Sequence, residues 1–454
     1  MDKNMILAKL AARQPLFEQM PQTAHKRIMG TESEYGVRTI LTGDNPVIAY
    51  ERLPVMLPNG GEVYEDRGHV EYASPEVANP AAAVAYDGAG KLHCWRAEYS
   101  PELYCNNTDW YGNSFGAHEN YFTCAPRPVL HELIPFLIAR TALCGAGWLN
   151  GKNRFELSQR AHEIDSAQSA DTMSHRPILN LRNEPLSTVP GFTRLHLICG
   201  DATMAEVSTF LKLGMTSCVL EMLELNALPP ITYNDVFGPA DLQTVSHRNW
   251  CMLGVTRGPR HALALLELYW ERAVELFSHR DEVTDAVLVI WEDTMHKIEG
   301  NGRALWRRLD WAAKLFLLRT FQDATYEPTG QWARAQDLEY HSLNPQKGLY
   351  YYLMQQGEME RIVSNELIVH AIHEPPKDTR AYARGKTVQL LEDRGGEQVL
   401  CANSWDKLAV VDAAAQGFPR VQRVPNPRHY ISLAMPDPRE TYAHLIDELK
   451  RQIK

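Results

Sequence analysis

Gly30-Thr31-Glu32-Ser33-Glu34-Tyr35-Gly36-Val37 sets two carboxylates at alternate positions of a strand-like stretch. Side chains two apart on a strand share a face, so Glu32 and Glu34 point the same way. The spacing recurs along the chain. It pairs His69 with Glu71 in His69-Val70-Glu71-Tyr72, His118 with Asn120 in His118-Glu119-Asn120, and Arg194 with His196 in Arg194-Leu195-His196-Leu197. Each segment by itself reads as readily as a solvated strand face. Together they read as a sheet with one acidic, histidine-bearing side. Carboxylates crowded on one face repel each other unless divalent cations lie between them. Oxygen ligands suit Mg²⁺, and the histidines extend the choice to Mn²⁺.

The chain around these strands is of a soluble, globular kind. It has 454 residues, 44% of them hydrophobic and 22% charged, enough for a sizeable core. A net charge of -10 argues against wholesale binding of nucleic acid or anionic membrane. The N-terminal stretch lacks the unbroken apolar run of a signal peptide, and no run reaches the length of a membrane span. Eight cysteines, at 94, 105, 124, 144, 199, 218, 251 and 401, include no CxxC pair. Such scattered thiols fit reduced core residues of a cytoplasmic protein.

Two further segments bear on chemistry. Asn106-Asn107-Thr108-Asp109-Trp110-Tyr111-Gly112-Asn113-Ser114-Phe115-Gly116 is rich in residues that tolerate positive φ. Such a loop exposes backbone N–H groups and suits a phosphate or a plain surface turn equally well. Glu65-Asp66-Arg67-Gly68 places an aspartate beside the acidic strands. It is a general base, a nucleophile or simply a turn residue before glycine. Arg176, Arg182 and Arg194 surround one predicted strand. They read as ligands for a phosphate or carboxylate, or as surface partners of Glu184 and Asp201.

Periodicity predicts strands over 26–37, 63–73, 117–124 and 193–200, and helices over 80–99, 130–144, 205–223 and 261–277. Helices dominate after Asp281, with Trp291, Trp306 and Trp311 as packing anchors. A break is expected near 378–385, then a strand-rich piece over 388–412 and a last helix over 439–453. The organisation is an N-terminal extension (1–25), a mixed catalytic body (26–385) and a small C-terminal domain (386–454).

Taken together, the Gly30–Val37 stretch, the run His69–Glu76 and the long run Asn106–Tyr121 resemble the Pup ligase and depupylase/deamidase family. So do Ser158–Ala161, Arg176–Pro185, Arg194–Asp201, Leu309–Leu315 and Asp378–Gly385. The resemblance spans nearly everything after Arg27. It implies an α+β fold of the glutamine-synthetase-like, carboxylate-amine ligase kind. Such a fold is a curved antiparallel sheet cradle backed by helices, with a small C-terminal α/β domain. It implies ATP and Mg²⁺ as cofactors, and a Pup-like protein tag and pupylated proteins as partners. Glu32, Glu34, Glu71, His118 and His196 become ligands of metal or ATP-bound metal, Asp66 the catalytic aspartate, and Arg182 and Arg194 binders of phosphate or glutamate carboxylate. Tyr72–Glu76, Phe155–Arg160 and Ser404–Asp406 resemble the depupylase/deamidase branch, which hydrolyses the isopeptide bond or deamidates a C-terminal glutamine. A ligase forming that bond through a glutamyl phosphate, and a non-catalytic binder of a Pup-like tail, are the alternatives. Val70, where the family has proline, Glu65, where it has an apolar residue, and the short join over 38–60 mark a divergent member.

Overall fold

The computed structural model describes residues 1–37, 55–97, 102–109, 111–172, 174–182, 184, 186–231, 237–247, 251–252, 260–300, 304–320, 330–393, 398–405, 407–412 and 431–452. Residues 38–54 of the short join, Trp110 of the glycine-rich loop and Asp406 lie outside these residues.

The architecture is α+β, centred on a seven-stranded antiparallel sheet. Its strands are β1 (Met29–Val37), β2 (Val55–Met56), β3 (Glu62–Asp66), β4 (His69–Ala73), β5 (Leu103–Tyr104), β6 (Ala117–Thr123) and β7 (Thr193–Leu197). They run in the order β7-β6-β1-β4-β3-β2, with β5 paired to the end of β1. The stretch expected as one strand over 63–73 is a hairpin. Its turn residues, Arg67 and Gly68, have φ of 52° and 88°. Positive φ at both central positions matches the twist of the flanking strands in a two-residue hairpin.

Alternation gives the sheet two unlike faces. Tyr35, Val63, Val70, Tyr72, Tyr121, Leu195 and Leu197 are buried on one. Helices α2 (Pro80–Arg96) and α3 (Glu206–Glu224) lie behind them, and α3 is buried along nearly its whole length. Asn79 caps α2, its side chain accepting from Ala82 N at 2.9 Å, and Pro80 follows at the first helical position. Glu119 falls on the core side because it is one residue out of step with His118 and Asn120. There it meets Arg140 through two hydrogen bonds of 2.7 and 2.8 Å, both side chains buried.

Contact between α2 and the sheet is tight at Gly90, where a Cβ would strike Cε1 of the Tyr72 ring. Gly90→Ala is expected to lower stability by about 1–3 kcal/mol, the usual range for overpacking. Urea unfolding read by tryptophan fluorescence measures it, and unchanged stability would mean the helix can slide off Tyr72 freely.

Helices α4 (Ala262–Phe277), α5 (Glu282–Gly300) and α6 (Asp310–Thr320) extend the core. Trp291 and Trp311 are buried there, and Trp306 stacks on Phe316 with centroids 4.1 Å apart. The segment expected as one helix over 130–144 is three short pieces, Arg127–Leu133, Ile134–Ala139 and Thr141–Cys144. Pro135, at the join of the first two pieces, lacks the N–H that a continuous ladder needs. The N-terminal residues pack onto the body. Helix α1 (Lys3–Ala11) buries Ile6 and Leu10, Lys3 pairs with Glu292 on α5 at 2.6 Å, and Phe17 bridges to Val363.

Beyond α7 (Asn365–His373) comes α8 (Ala381–Glu392). It runs across residue 385, where a break was expected, and carries Val388, expected in a strand, on its buried side. Gly385 explains the difference. A Cβ there would strike Pro58 O, so the glycine serves close packing rather than helix termination. The chain then forms a three-stranded antiparallel sheet, β8 (Gln398–Ser404), β9 (Lys407–Asp412) and β10 (Ile431–Ala434), and ends in α9 (Ala443–Gln452). No helix among the described residues is long and apolar enough to cross a membrane.

Candidate active site

Register brings the scattered acids and histidines onto the sheet's other face. Glu34 lies opposite Glu71, Glu32 opposite His118, and His196 opposite Asn120. Tyr64 faces Glu71, and Asp66 faces His69, across the hairpin. Antiparallel partners share a face, so Glu32, Glu34, Asp66, Glu71, His118 and His196 line one surface.

They fall into two sets. In Glu32, His118 and His196, one ligand atom from each lies within 4.8 Å of the others, and the same holds for Glu34, Asp66 and Glu71. His118 Nδ1 is 3.3 Å from Glu32 Oε2, and His196 Nε2 is 3.4 Å from the same oxygen. Arg194 Nη2 donates to Glu32 Oε1 at 2.8 Å, and Asn120 bridges the two, donating to Glu32 at 3.1 Å and accepting from Arg194 at 2.5 Å.

Both sets have the chemistry of a cation site. Burial works against a charge on Glu32, but Arg194 and the two histidines hold its carboxyl well below the usual range. Burial pushes the His196 imidazole down to about 4, which leaves it neutral and able to ligate. Its Nε2 is buried without a well-formed hydrogen bond among the described residues. Burial, then the charges of Glu32 and Glu34, push Glu71 well above the ordinary carboxylate range. An all-oxygen set of three carboxylates suits Mg²⁺, and the nitrogen-bearing set accepts Mn²⁺ more readily.

The glycine-rich loop reaches the edge of this face, where Phe115 stacks on His69 with ring centroids 4.5 Å apart. Asp109 organises it, accepting from Tyr111 N and Asn113 N at 2.9 and 2.8 Å. Arg160 supports it from below, donating to Phe115 O. Gly112-Asn113-Ser114-Phe115-Gly116 has the spacing of a nucleophile elbow. Ser114 nevertheless sits in a loop leading into β6, not on a strand-to-helix turn, and its Oγ lies 3.3 Å from Arg160 Nη1. A Cβ on Gly116 would lie 2.7 Å from Glu34 Oε1 and press on His118 Nε2. One added methyl would therefore disturb both sets. Gly116→Ala is expected to weaken Mn²⁺ binding by about 10–100-fold, the effect of displacing groups that orient ligands. Titration followed by Mn²⁺ spin resonance tests it, and wild-type affinity would mean neither Glu34 nor His118 touches the ion.

Arg182 is not drawn into the cradle. Its half-exposed guanidinium pairs with Glu184 at 2.7 Å, and Glu184 in turn approaches Arg194 at 3.6 Å. Arg176 pairs with Glu163. The sequence reading gave no role to Asn120, Tyr64 or Arg160. For Asn120 and Tyr64 the signal was present, since each sits at i+2 from a predicted site residue, His118 and Asp66.

Beside the Glu32 set a pocket opens between the sheet and the C-terminal part of the chain. Met29, Phe122 and Trp405 give it apolar walls, and Glu32, Glu76, Arg194 and Arg380 its polar groups. Glu76 joins Arg380 at 2.6 Å and also pairs with Arg384, whose guanidinium stacks 4.5 Å from the Trp405 ring.

The family model for Pup-ligase protein matches residues 44–409. The chain belongs to the Pup-ligase family. Among family members it is 36% identical to the depupylase of Acidothermus cellulolyticus over 423 residues, 87% of this chain and 81% of that protein. The solved complex of prokaryotic ubiquitin-like protein Pup and its ligase PafA superposes with a TM-score of 0.80 at 26% identity, covering 95% of this chain and 92% of the ligase. PafA in complex with ADP superposes with a TM-score of 0.77 at 27% identity, over 90% of this chain and 91% of that one. The fold is thus the PafA-like one, an antiparallel sheet backed by helices.

Proposed function

We propose that this Pup-ligase family protein is an ATP- and Mg²⁺-dependent depupylase/deamidase of the cytoplasm. Its reaction hydrolyses the isopeptide bond between the C-terminal glutamate of a Pup-like tag and a target lysine, or deamidates a C-terminal glutamine. The observation that carries this is the pairing of Glu34 with Glu71 and of Glu32 with His118 on one sheet face, with the half-exposed Asp66 at its edge. The 36% identity to a depupylase, against 32% to a Pup–protein ligase, supports the hydrolytic reading.

Glu34 and Glu71 would hold one cation, with Asp66 beside it, and Glu32, His118 and His196 another. When bound, the ions neutralise phosphoryl oxygens and polarise the glutamyl carbonyl. The pocket beside Glu32 has an aromatic wall suited to a nucleotide base, in keeping with the ADP held by PafA. Arg194, buried and anchored on Glu32, presents fixed positive charge to a phosphate or to the glutamate carboxylate. Arg182 stands at the rim and reaches the same anion only by leaving Glu184. Asp66 takes the proton of the attacking water, or attacks the carbonyl itself.

The test is incubation of the protein with ATP, Mg²⁺ and a Pup-conjugated model protein. Parallel reactions use Pup ending in glutamine, and Pup ending in glutamate plus target, all read by intact mass. Loss of the tag or of ammonia with little ATP consumed supports hydrolysis. Conjugate formation with one ADP per bond moves the chain to the ligase side. Nucleotide binding with no amide chemistry in any reaction leaves a binder of Pup-like tails.

A further inference from the structure

A third set of ligand groups lies on elements that take no part in the cradle. Glu156 ends the short strand Phe155–Glu156, which pairs with Trp148–Leu149. His162 follows in a turn closed by Glu163 N on Arg160 O at 2.9 Å. His247 caps the helix Pro239–Ser246. That helix end is fixed to the strand, because Leu157 N donates to Ser246 O at 2.7 Å. The three side chains therefore meet although 85 residues separate the two histidines.

Glu156 is 1% exposed, while the histidines are 39% and 50% exposed. His162 Nε2 is 2.8 Å from Glu156 Oε2, His247 Nε2 is 3.7 Å from Oε1, and the ring centroids are 5.1 Å apart. One ligand atom from each lies within 4.8 Å of the others. Tetrahedral zinc ligands at 2.0–2.2 Å from the ion are about 3.4 Å apart, and the separations of 2.8 and 3.7 Å, each to a different oxygen of Glu156, lie near that value. Asn150 Nδ2 donates to Oε1 at 2.5 Å and Ser246 Oγ to Oε2 at 3.3 Å, which orients the carboxylate as second partners of metal ligands do. No lysine or arginine pairs with Glu156 among the described residues. A buried carboxylate met by two imidazoles, an amide and a hydroxyl is short of a permanent positive partner.

We propose that Glu156, His162 and His247 form a transition-metal site for Zn²⁺, separate from the cations of the cradle, with water completing the shell. Two imidazoles and one carboxylate favour zinc over magnesium. The site would pin the strand that leads into Ser158-Gln159-Arg160. Those residues support the glycine-rich loop, Gln159 accepting from Asn107 N at 2.7 Å and Arg160 donating to Phe115 O. Zinc here would stiffen that loop from behind.

The test uses tag-free full-length protein, stripped of metal and dialysed against Zn²⁺, with bound zinc counted by mass spectrometry. The half-exposed histidines can be changed without opening the core, so the variants are the double substitution His162→Ala with His247→Ala, and His118→Ala with His196→Ala. The first should lose one zinc equivalent and the rise in melting temperature that zinc gives the wild type. The second should keep that equivalent and that rise, losing at most the zinc that the Glu32 set itself takes up. An unchanged zinc count and thermal shift in the first variant would overturn the site, and so would loss of all zinc in the second.

Discussion

Replacing Asp66 by asparagine is expected to lower turnover of a Pup-conjugated protein by about 10²–10⁴-fold, while nucleotide affinity stays near wild type. Asp66 is the last residue of β3, and its side chain is 46% exposed. Glu71, in the same cluster, is buried. Of these two carboxylates, only that of Asp66 stands where a substrate amide can reach it. Asparagine keeps its shape and removes its basicity and its nucleophilic oxygen. Glu34 and Glu71 remain to hold a cation, so Mn²⁺ affinity should fall less than in Glu71→Gln. Single-turnover assays with parallel Mn²⁺ titration separate the possibilities. Undiminished turnover removes Asp66 from the chemistry. Collapse of Mn²⁺ binding together with turnover makes it a cation ligand instead.

The alternation of site residues was legible because strand periodicity is local. Glu32 and Glu34 must share a face wherever β1 lies. Which face of which neighbour they meet was not legible, since Glu32 opposite His118 is a pairing across 86 residues. The hairpin Asp66-Arg67-Gly68-His69 lies between these extremes. Its Gly68 signalled a turn, and the structure makes Asp66 both the turn's flank and a member of the acidic cluster. The arginines show the limit of reading by proximity in sequence. Arg182 and Arg194 looked equivalent, yet one ends half-exposed on Glu184 and the other buried on Glu32. That outcome depends on Arg194 lying on a paired strand while Arg182 follows one.

The same reasoning misjudged the region after 378 for an identifiable cause. Gly385 and β-branched Thr387 and Val388 weaken a helix, and local propensity placed a break and a strand there. Packing overrode it. Arg380 and Arg384, one turn apart on the start of α8, both reach Glu76. A helix is what brings residues four apart to one carboxylate.

Glu76→Gln is therefore expected to destabilise the protein by about 3–5 kcal/mol, the cost of breaking a buried ion pair from one side. Arg380 and Arg384 are 3% and 0% exposed, so the variant would leave two buried guanidinium groups without their shared carboxylate. The effect has a distinctive pH dependence. Burial opposes the charge on Glu76, but the two arginines hold its carboxyl at about 2, against an ordinary 4.5. A depressed carboxyl stabilises the fold fully above the unfolded value and loses that contribution as pH falls toward the folded one. At 1.36 kcal/mol per pH unit this is about 3 kcal/mol. Wild type and variant should differ most at pH 7 and converge between about pH 4.5 and 2, as urea unfolding across that range would reveal. The same change should weaken nucleotide binding, because Glu76, Arg380 and Trp405 wall the pocket beside Glu32, and Arg380 and Arg384 tie it to Met435 O and Trp405 O. Equal stability at pH 7 would show that the arginines find other partners. A difference that persists unchanged to pH 2 would mean the loss comes from packing rather than from the charge on Glu76.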